Sequence, residues 1–253
     1  MPSAKDVPSL LVRQTLLDRE LVKAADRPVR RLLPWLDVVV LGGSAIVDRG
    51  ADVLLPLVDE LRAAMTGHRM LVLTGAGIRA RHVIGIGLDL GLPTGVLSEL
   101  AAKEAEQNGH LVAALMAADG VSYVPHGTVA RQLAVHLAAS PAVVSNGYPP
   151  FGAHEFPPAT GKIPVHRTDA GALLLADAFG AARLVYVKDT DGPAHATAAE
   201  LLARTETPVA RRALELLGTA RNVHELRIVN GLTHGALTEA LSDKPVGTVV
   251  RAR

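Results

Sequence analysis

The 253-residue sequence contains no cysteine, few aromatic residues and no long apolar run. Without cysteine, disulfide bonds, zinc–thiolate sites and cysteine nucleophiles are excluded. No apolar run approaches the roughly 20 residues that span a bilayer, so we expect neither a transmembrane helix nor a membrane partner. The amino terminus lacks the apolar region of a secretory signal. These absences predict a cytoplasmic protein.

The charges of the chain nearly cancel. Lys and Arg number 26 and Asp and Glu 25, which gives a net charge of +1 and no electrostatic basis for a nucleic acid partner. Aromatic residues make up 3% and hydrophobic residues 49%, so aliphatic side chains must fill the core, as in a parallel sheet buried on both faces. A mean hydropathy of +0.25 favours an oligomer that covers part of the apolar surface.

Strand and helix patterns alternate along most of the chain. Apolar runs predict strands at residues 37–41, 70–74, 121–124, 142–145, 183–187, 226–229 and 248–251, and helical periodicity lies between most of them. Such alternation predicts βαβ units and a mostly parallel sheet. Residues 7–25 also have helical periodicity, before the first strand, and are predicted as a helical addition to the core fold.

Two glycine turns follow the first two predicted strands. Gly42, Gly43 and Ser44 follow the first strand, and Gly75 and Gly77 follow the second. Backbone N–H groups at the start of a helix attract phosphate or another oxyanion, and the carboxyl ends of neighbouring parallel strands face one crevice. The sequence therefore predicts an oxyanion or nucleotide-phosphate site, in which Gly43→Val would block the anion and leave the fold intact.

Polar residues beside these turns allow two interpretations. Arg79, Arg81 and His82 begin the helix after the second turn, where they either cap the helix or contact phosphate. Lys188 and Asp191 follow the strand at residues 183–187, where they form either an ordinary solvated turn or part of a site.

A third group of polar residues is suited to binding a metal ion or an oxyanion. Residues 146–168 interrupt the pattern with five prolines, and a loop of this length is usually functional or part of an interface. Imidazole is a common metal ligand, and imidazolium donates to oxyanions. The residues predicted to face an oxoanion, unless they are merely solvated, are Glu104, Gln107, His110, His126, His136, His154 and His166.

Several of these motifs occur in the order typical of the amino acid kinase superfamily, to which uridylate kinase and carbamate kinase belong. The motifs are residues 42–44, 74–82, 167–171 and 188–192. The sequence resembles this superfamily, and in particular its molybdenum storage branch, which residues 73–92, 104–110, 154–157 and 229–232 resemble most.

The resemblance implies a three-layer αβα fold for residues 31–253, with residues 1–30 as the helical extension. It also implies binding of ATP with Mg²⁺, storage of molybdate or tungstate as polyoxometalate clusters in a closed cage, and a homologous partner subunit in a hetero-hexamer. The residues that it implies are Gly42, Gly43, Ser44, Gly75 and Gly77 for the phosphates, Asp169 and Lys188 for catalysis, and Asp189, Asp191 and Gly192 in the nucleotide loop. Arg79, whose role as a cap or a phosphate contact is open, is predicted with them as a nucleotide-binding residue.

Position 40 departs from the superfamily pattern. Members usually have a lysine two residues before the first glycine of the opening turn, and this chain has Val40. Phosphoryl transfer depends on positioned charges, so the loss of a fixed cation opposes catalysis. Three functions remain: a storage subunit with ATP-dependent loading, a small-molecule kinase acting on a nucleoside monophosphate or another acid, and a non-catalytic partner subunit of a hetero-oligomer.

Overall fold

The computed structural model of the protein describes residues 28–149, 162–242, 244 and 246–253. The chain divides into two compact units, Met1–Arg30 and Arg31–Arg253. Of the first unit, the described residues 28–30 are exposed and have no regular secondary structure. The helix predicted at residues 7–25 and the predicted oxoanion residue His154 lie outside the described residues.

Seven strands of the second unit form one sheet. They are β1 (Leu36–Leu41), β2 (Arg69–Thr74), β3 (Ala142–Asn146), β4 (Arg183–Lys188), β5 (His195–Thr197), β6 (Glu225–Asn230) and β7 (Thr248–Arg251). The strand order is β3-β2-β1-β4-β6-β7-β5. Only β6 and β7 pair antiparallel, and the other neighbours are parallel. The prediction of a mostly parallel sheet is confirmed.

Eight α-helices connect these strands in the described part of the chain. They are α1 (Ala51–Ala64), α2 (Gly77–Asp89), α3 (Thr94–Leu115), α4 (His126–Ala139), α5 (Thr168–Phe179), α6 (Ala198–Leu202), α7 (Arg211–Leu217) and α8 (Ala236–Leu241). None of them is long and apolar enough to cross a bilayer.

Helices cover both faces of the sheet. Alternate residues of β1 point to opposite faces, so Val38 and Val40 join a core built with α4, α5, α6 and α7, whereas Val39 and Leu41 join a core built with α1, α3 and α8. The two cores give the chain three layers, as the resemblance implied. They also fix the carboxyl ends of β1, β2 and β4 at one edge of the sheet, where the glycine turns lie.

Two short segments differ from the sequence prediction. Of residues 121–124, Tyr123 forms a single bridge to Val144 beside β3, and Pro125 then begins the approach to α4. Proline cannot donate a backbone hydrogen bond and so prevents the bridge from extending into a strand. Conversely, β5 has three residues, too few to produce an apolar run that the sequence could reveal.

Candidate functional site

An open cleft of about 420 Å³ lies at the carboxyl ends of β1, β2 and β4. It brings together most of the residues that the sequence assigned to phosphate binding and catalysis. Those that line it are Gly42, Gly43, Ser44, Gly75, Gly77, Asp169 and Lys188. The cleft therefore combines both glycine turns with the charged pair at the ends of α5 and β4.

The first turn presents free backbone donors to this cleft. The N–H of Gly42 donates to Val187 O at 3.1 Å, which ties the turn to β4. The N–H groups of Gly43 and Ser44 have no acceptor among the described residues, and both residues line the cleft. Successive free amides of this kind form an anion-binding concavity.

The two turns pack directly against each other. A Cβ atom built on Gly43 would lie 2.1 Å from Gly77 N and 2.8 Å from Gly75 C, and one built on Gly75 would lie 2.6 Å from Gly43 N. Because these neighbours are backbone atoms, no side chain fits at either position. The expectation that Gly43→Val leaves the fold intact is therefore wrong.

The second turn already has an internal anion. Asp48 Oδ2 accepts a hydrogen bond of 2.6 Å from Ile78 N in the first turn of α2. A Cβ atom built on Gly77, which has a φ of +73°, would lie 2.4 Å from this carboxylate. A carboxylate at this helix end interacts favourably with the helix dipole. One of the amides that the sequence assigned to an exogenous anion is thus used by Asp48.

Asp169 and Lys188 form a nearly buried ion pair at the base of the cleft. Lys188 Nζ lies 2.8 Å from Asp169 Oδ1 and 3.0 Å from Oδ2. Oδ2 also accepts from Ala210 N at 2.8 Å, which fastens the segment before α7 to the start of α5. Behind the pair, the hydroxyl of Tyr186 donates to Asp169 O at 2.7 Å, and burial raises the pKa of Tyr186 well above its ordinary value.

Three arginines also line the cleft: Arg81, Arg167 and Arg211. The sequence left Arg81 open between two roles and did not single out Arg167 or Arg211 as site residues. Arg167 is the first residue of the motif at residues 167–171, and its place two positions before Asp169 was the signal that could have identified it. Arg211 gave no such signal, because the fold alone brings α7 to the cleft.

Arg79 lies on a different face of α2 from the one predicted. Its Nε atom is 3.1 Å from Glu104 Oε2 on α3, and its Nη2 atom donates to Asn108 Oδ1. The fully buried Asn108 in turn donates from Nδ2 to Gly75 O at 2.7 Å. Arg79 and Glu104 therefore support the second turn from behind, and Arg81 is the arginine of α2 that lines the cleft.

The predicted nucleotide-loop residues after β4 have partners away from the phosphate turns. Asp189 forms an ion pair of 2.6 Å with Arg49, and Asp191 accepts from Asn230 Nδ2 at 2.9 Å. A Cβ atom built on Gly192 would lie 2.2 Å from Thr248 Oγ1. These contacts fix the loop against neighbouring elements, and its contact with a nucleotide stays a prediction.

The predicted oxoanion residues that the structure describes do not form one cluster. His110 stacks on Tyr123 with ring centroids 4.2 Å apart, and His166 Nε2 accepts from Arg212 Nε at 2.9 Å. Gln107 is exposed and His136 is half-buried near the end of α4. Among the described residues, no three His, Asp or Glu side chains lie close enough to hold a metal ion.

His126 differs from the other histidines because it lines a second cavity of about 330 Å³. The cavity lies between α3, the start of α4 and the end of β3, and its polar walls include Ser98, Glu99, Lys103, Glu106 and Asn146. Asn146 O is 2.6 Å from Nδ1 of His126. Because a carbonyl only accepts, Nδ1 carries the hydrogen, and Nε2 has no partner among the described residues.

Burial keeps the imidazole of His126 neutral. Desolvation lowers its pKa to about 4, against a smaller opposing effect of the hydrogen bond to Asn146. Tyr148 lines both this cavity and the phosphate cleft, so one side chain forms part of the wall of each. The cavity thus offers an unprotonated nitrogen at neutral pH, beside a cleft suited to phosphate.

We expect this histidine to make stability depend on pH. In the unfolded chain its pKa is near 6.5, so between pH 6.5 and about 4 the unfolded state binds more protons and stability falls as the pH falls. The loss from this group is roughly 3 kcal/mol. Denaturation at a series of pH values should show that His126→Gln removes this component, whereas exposed His224→Gln retains it. Equal pH profiles for wild type and His126→Gln would contradict the assignment.

Comparison with known proteins gives consistent results for sequence and fold. Residues 36–206 match the amino acid kinase family. The chain is 38% identical to molybdenum storage protein subunit beta of Azotobacter vinelandii, over 99% of this chain and 98% of that protein. It is 28% identical to a uridylate kinase of Methanosarcina acetivorans over 62% of this chain and 61% of that protein.

Solved structures of uridylate kinases share the fold. The enzyme of Archaeoglobus fulgidus superposes with a TM-score of 0.65 at 19% identity, covering 85% of this chain and 99% of that one. UMP kinase of Ureaplasma parvum gives a TM-score of 0.62 at 14% identity, with coverages of 86% and 99%. At these identities the likeness concerns the fold alone.

Proposed function

Because the chain belongs to the amino acid kinase family, we propose that its cleft and neighbouring cavity serve the storage of molybdate or tungstate with the help of ATP. The observation that carries the proposal is the end-to-end similarity to a protein named as a molybdenum storage subunit. The same similarity supports a multi-subunit assembly. In this proposal the chain is one subunit of a cytoplasmic hetero-hexamer with a homologous partner, and the assembly holds the metal as polyoxometalate clusters.

The phosphate cleft is the proposed site for ATP. The free amides of Gly43 and Ser44 would donate to phosphate oxygens, and Lys188 lies at the base of the same cleft. Asp169 is the only carboxylate among the described residues that line the cleft, and Lys188 and Ala210 already donate to it. Mg²⁺ binds through few protein carboxylates and mainly through phosphates and water, so this chain suits a magnesium ion that arrives with the nucleotide.

The replacement of the usual lysine by Val40 supports binding over catalysis in this subunit. Val40 is fully buried within the core below the turn, so it contributes no charge to the cleft. Lys188 is neutralised by Asp169 at 2.8 Å. A developing negative charge on a transferring phosphoryl group would therefore lack the fixed compensation that efficient transfer requires.

The cavity at His126 is the proposed contact with the metal oxoanion. An oxoanion carries its own oxygen ligands, so the protein need not supply a cage of three side chains. A neutral imidazole whose Nδ1–H is held by a carbonyl is oriented to ligate through Nε2, the arrangement typical of histidine metal ligands. Lys103 also lines this cavity, where it pairs with Glu106 at 2.7 Å, so the proposed contact rests on Nε2 of His126 and not on an unpaired cation.

The apolar surface of α2 supports a partner subunit. Ile78, Ile86 and Leu90 are each about half exposed or more, at 55%, 49% and 67%. Their spacing along the helix puts the first two within about 80° of each other and the third a further 40° or so away, which forms one stripe. A homologous subunit is the proposed cover for part of this surface.

Metal loading tests the proposal. The chain would be co-purified with its homologous subunit, incubated with molybdate and MgATP, freed of unbound ions by gel filtration and analysed for molybdenum. We expect ATP-dependent molybdenum well above background, reduced by His126→Gln and unchanged by His224→Gln. Background metal in every sample would contradict storage. Formation of UDP from UMP, or of another phosphorylated product, with no metal retained would instead support the alternative kinase function.

A further inference from the structure

The cleft has no free lysine where the family usually places one. Position 40 is a fully buried valine in the core beneath the first turn. The one lysine that lines the described part of the cleft, Lys188, is held by both oxygens of Asp169 at 2.8 Å and 3.0 Å. A polyphosphate that enters this cleft must therefore find its positive partner among the arginines.

The three arginines of the cleft differ in how far their donors are committed. Arg211 donates from Nη1 to Arg204 O at 3.0 Å and from Nη2 to Leu202 O at 2.6 Å, so both terminal nitrogens of its guanidinium group already have an acceptor. Arg81 and Arg167 are exposed and line the cleft, and their guanidinium groups have no hydrogen-bond or ion-pair partner among the described residues. These two guanidinium groups remain available to a ligand.

Arg167 is the better placed of the two for the reacting end of a polyphosphate. It is the residue that precedes the first turn of α5, two positions before Asp169, so it shares a wall of the cleft with the Lys188–Asp169 pair. Arg81 lies on α2, where the neighbouring cleft residues Ala80 and Ile84 are apolar. The charged side chains that line the described cleft, apart from Arg81, are therefore concentrated around the start of α5.

We propose that Arg167 is the phosphate-binding cation of this subunit and compensates for the valine at position 40. The inference rests on the proposed nucleotide function and extends it by assigning the residue whose positive charge binds the phosphates. A guanidinium is always charged and can bind two phosphate oxygens through parallel N–H donors. The guanidinium is also planar and lies at an exposed position of the cleft, so it replaces the binding role of the missing lysine without supplying a compact charge at the base.

Titration of the assembled complex with MgATP and, separately, with inorganic tripolyphosphate tests this assignment. We expect Arg167→Gln to weaken both affinities by about tenfold or more, since a charged bidentate contact is lost. Arg167→Lys should weaken the two affinities less, because lysine keeps the positive charge and loses only the paired N–H donors of the guanidinium group. The matched control is Arg131→Gln, because Arg131 is an exposed arginine of α4 that does not line the described cleft. This variant should change either affinity by less than about twofold.

The possible results separate the role of Arg167 from the proposed nucleotide site. Equal affinities for wild type and Arg167→Gln would overturn the role of Arg167 while leaving ATP binding intact. If Arg81→Gln weakened both affinities and Arg167→Gln did not, the role assigned to Arg167 would be overturned and Arg81 of α2 would be the phosphate-binding cation. A wild-type complex that binds neither MgATP nor tripolyphosphate would overturn both this inference and the proposed nucleotide site. Unchanged circular dichroism and melting temperature would show that the variants are folded. If Arg167→Gln does not fold, the affinities of Arg167→Lys for MgATP and tripolyphosphate test the assignment in its place.

Discussion

Replacing Gly43 by alanine should lower the free energy of unfolding by about 3 to 5 kcal/mol. The added Cβ atom would lie 2.1 Å from Gly77 N and 2.6 Å from Gly77 Cα. Both neighbours are backbone atoms, so neither can move aside as a flexible side chain would. The two glycine turns would have to separate, and the strand ends beneath them would shift.

Chemical denaturation of the purified protein measures this effect. Gly85→Ala is the matched control, because Gly85 lies within α2 and a Cβ atom added there would meet nothing within 4 Å beyond its own helix backbone and chain neighbours. Alanine stabilises a helix interior by up to about 1 kcal/mol relative to glycine, so this control should be neutral or stabilising. If Gly43→Ala unfolded at the same denaturant concentration as wild type, the close packing of the two turns would be refuted.

Removal of the Asp169 carboxylate should also destabilise the protein strongly. Asp169→Ala leaves Lys188 charged and largely buried without its partner, and it releases the amide of Ala210. Breaking a buried pair by removing one member typically costs about 3 kcal/mol or more, since the remaining charge has lost its compensation. The cleft should also loosen where the segment before α7 is attached.

Two measurements distinguish this result from a general loss of stability. Denaturation gives the free energy, and hydrogen exchange of the Ala210 amide reports the released contact, which should exchange about tenfold faster or more. Glu215→Ala removes a half-exposed carboxylate that pairs with Arg212 at 3.0 Å and should change stability by less than about 0.5 kcal/mol. An Ala210 amide as protected in Asp169→Ala as in wild type would contradict the proposed attachment.

The sequence predicted the architecture well because apolar periodicity reflects burial directly. In β1, the uninterrupted run from Val38 to Leu41 required helices on both faces, and the structure has them. Short strands were harder to predict from the sequence. The three residues of β5 carry no such pattern, and they join the sheet only because β7 offers a free edge.

The candidate site was predictable only where its residues belong to local motifs. Both glycine turns and the Asp169 and Lys188 motifs could be read from the chain, since each follows or precedes a regular element. Asp48, Asn108 and Ala210 could not, because their roles depend on partners that lie 30 or more residues away along the chain. Long-range contacts of this kind leave no trace in spacing.

The choice between Arg79 and Arg81 shows the same limit within one helix. Two residues along an α-helix correspond to a rotation of about 200°, so the two side chains point in nearly opposite directions. The sequence placed both near the second turn, but only packing against α3 decides which faces the cleft. Arg79 meets Glu104 and Asn108, and Arg81 is left on the cleft side.

The most direct test of oxoanion storage with a nucleotide beside it is a crystal structure of the assembled complex loaded with MgATP and molybdate or tungstate. Anomalous scattering at the absorption edge of the metal locates it independently of the protein. We predict metal density within bonding distance of His126 Nε2, together with nucleotide phosphates on the amides of Gly43 and Ser44. An empty phosphate cleft and no anomalous signal in the cavity at His126 would contradict the account.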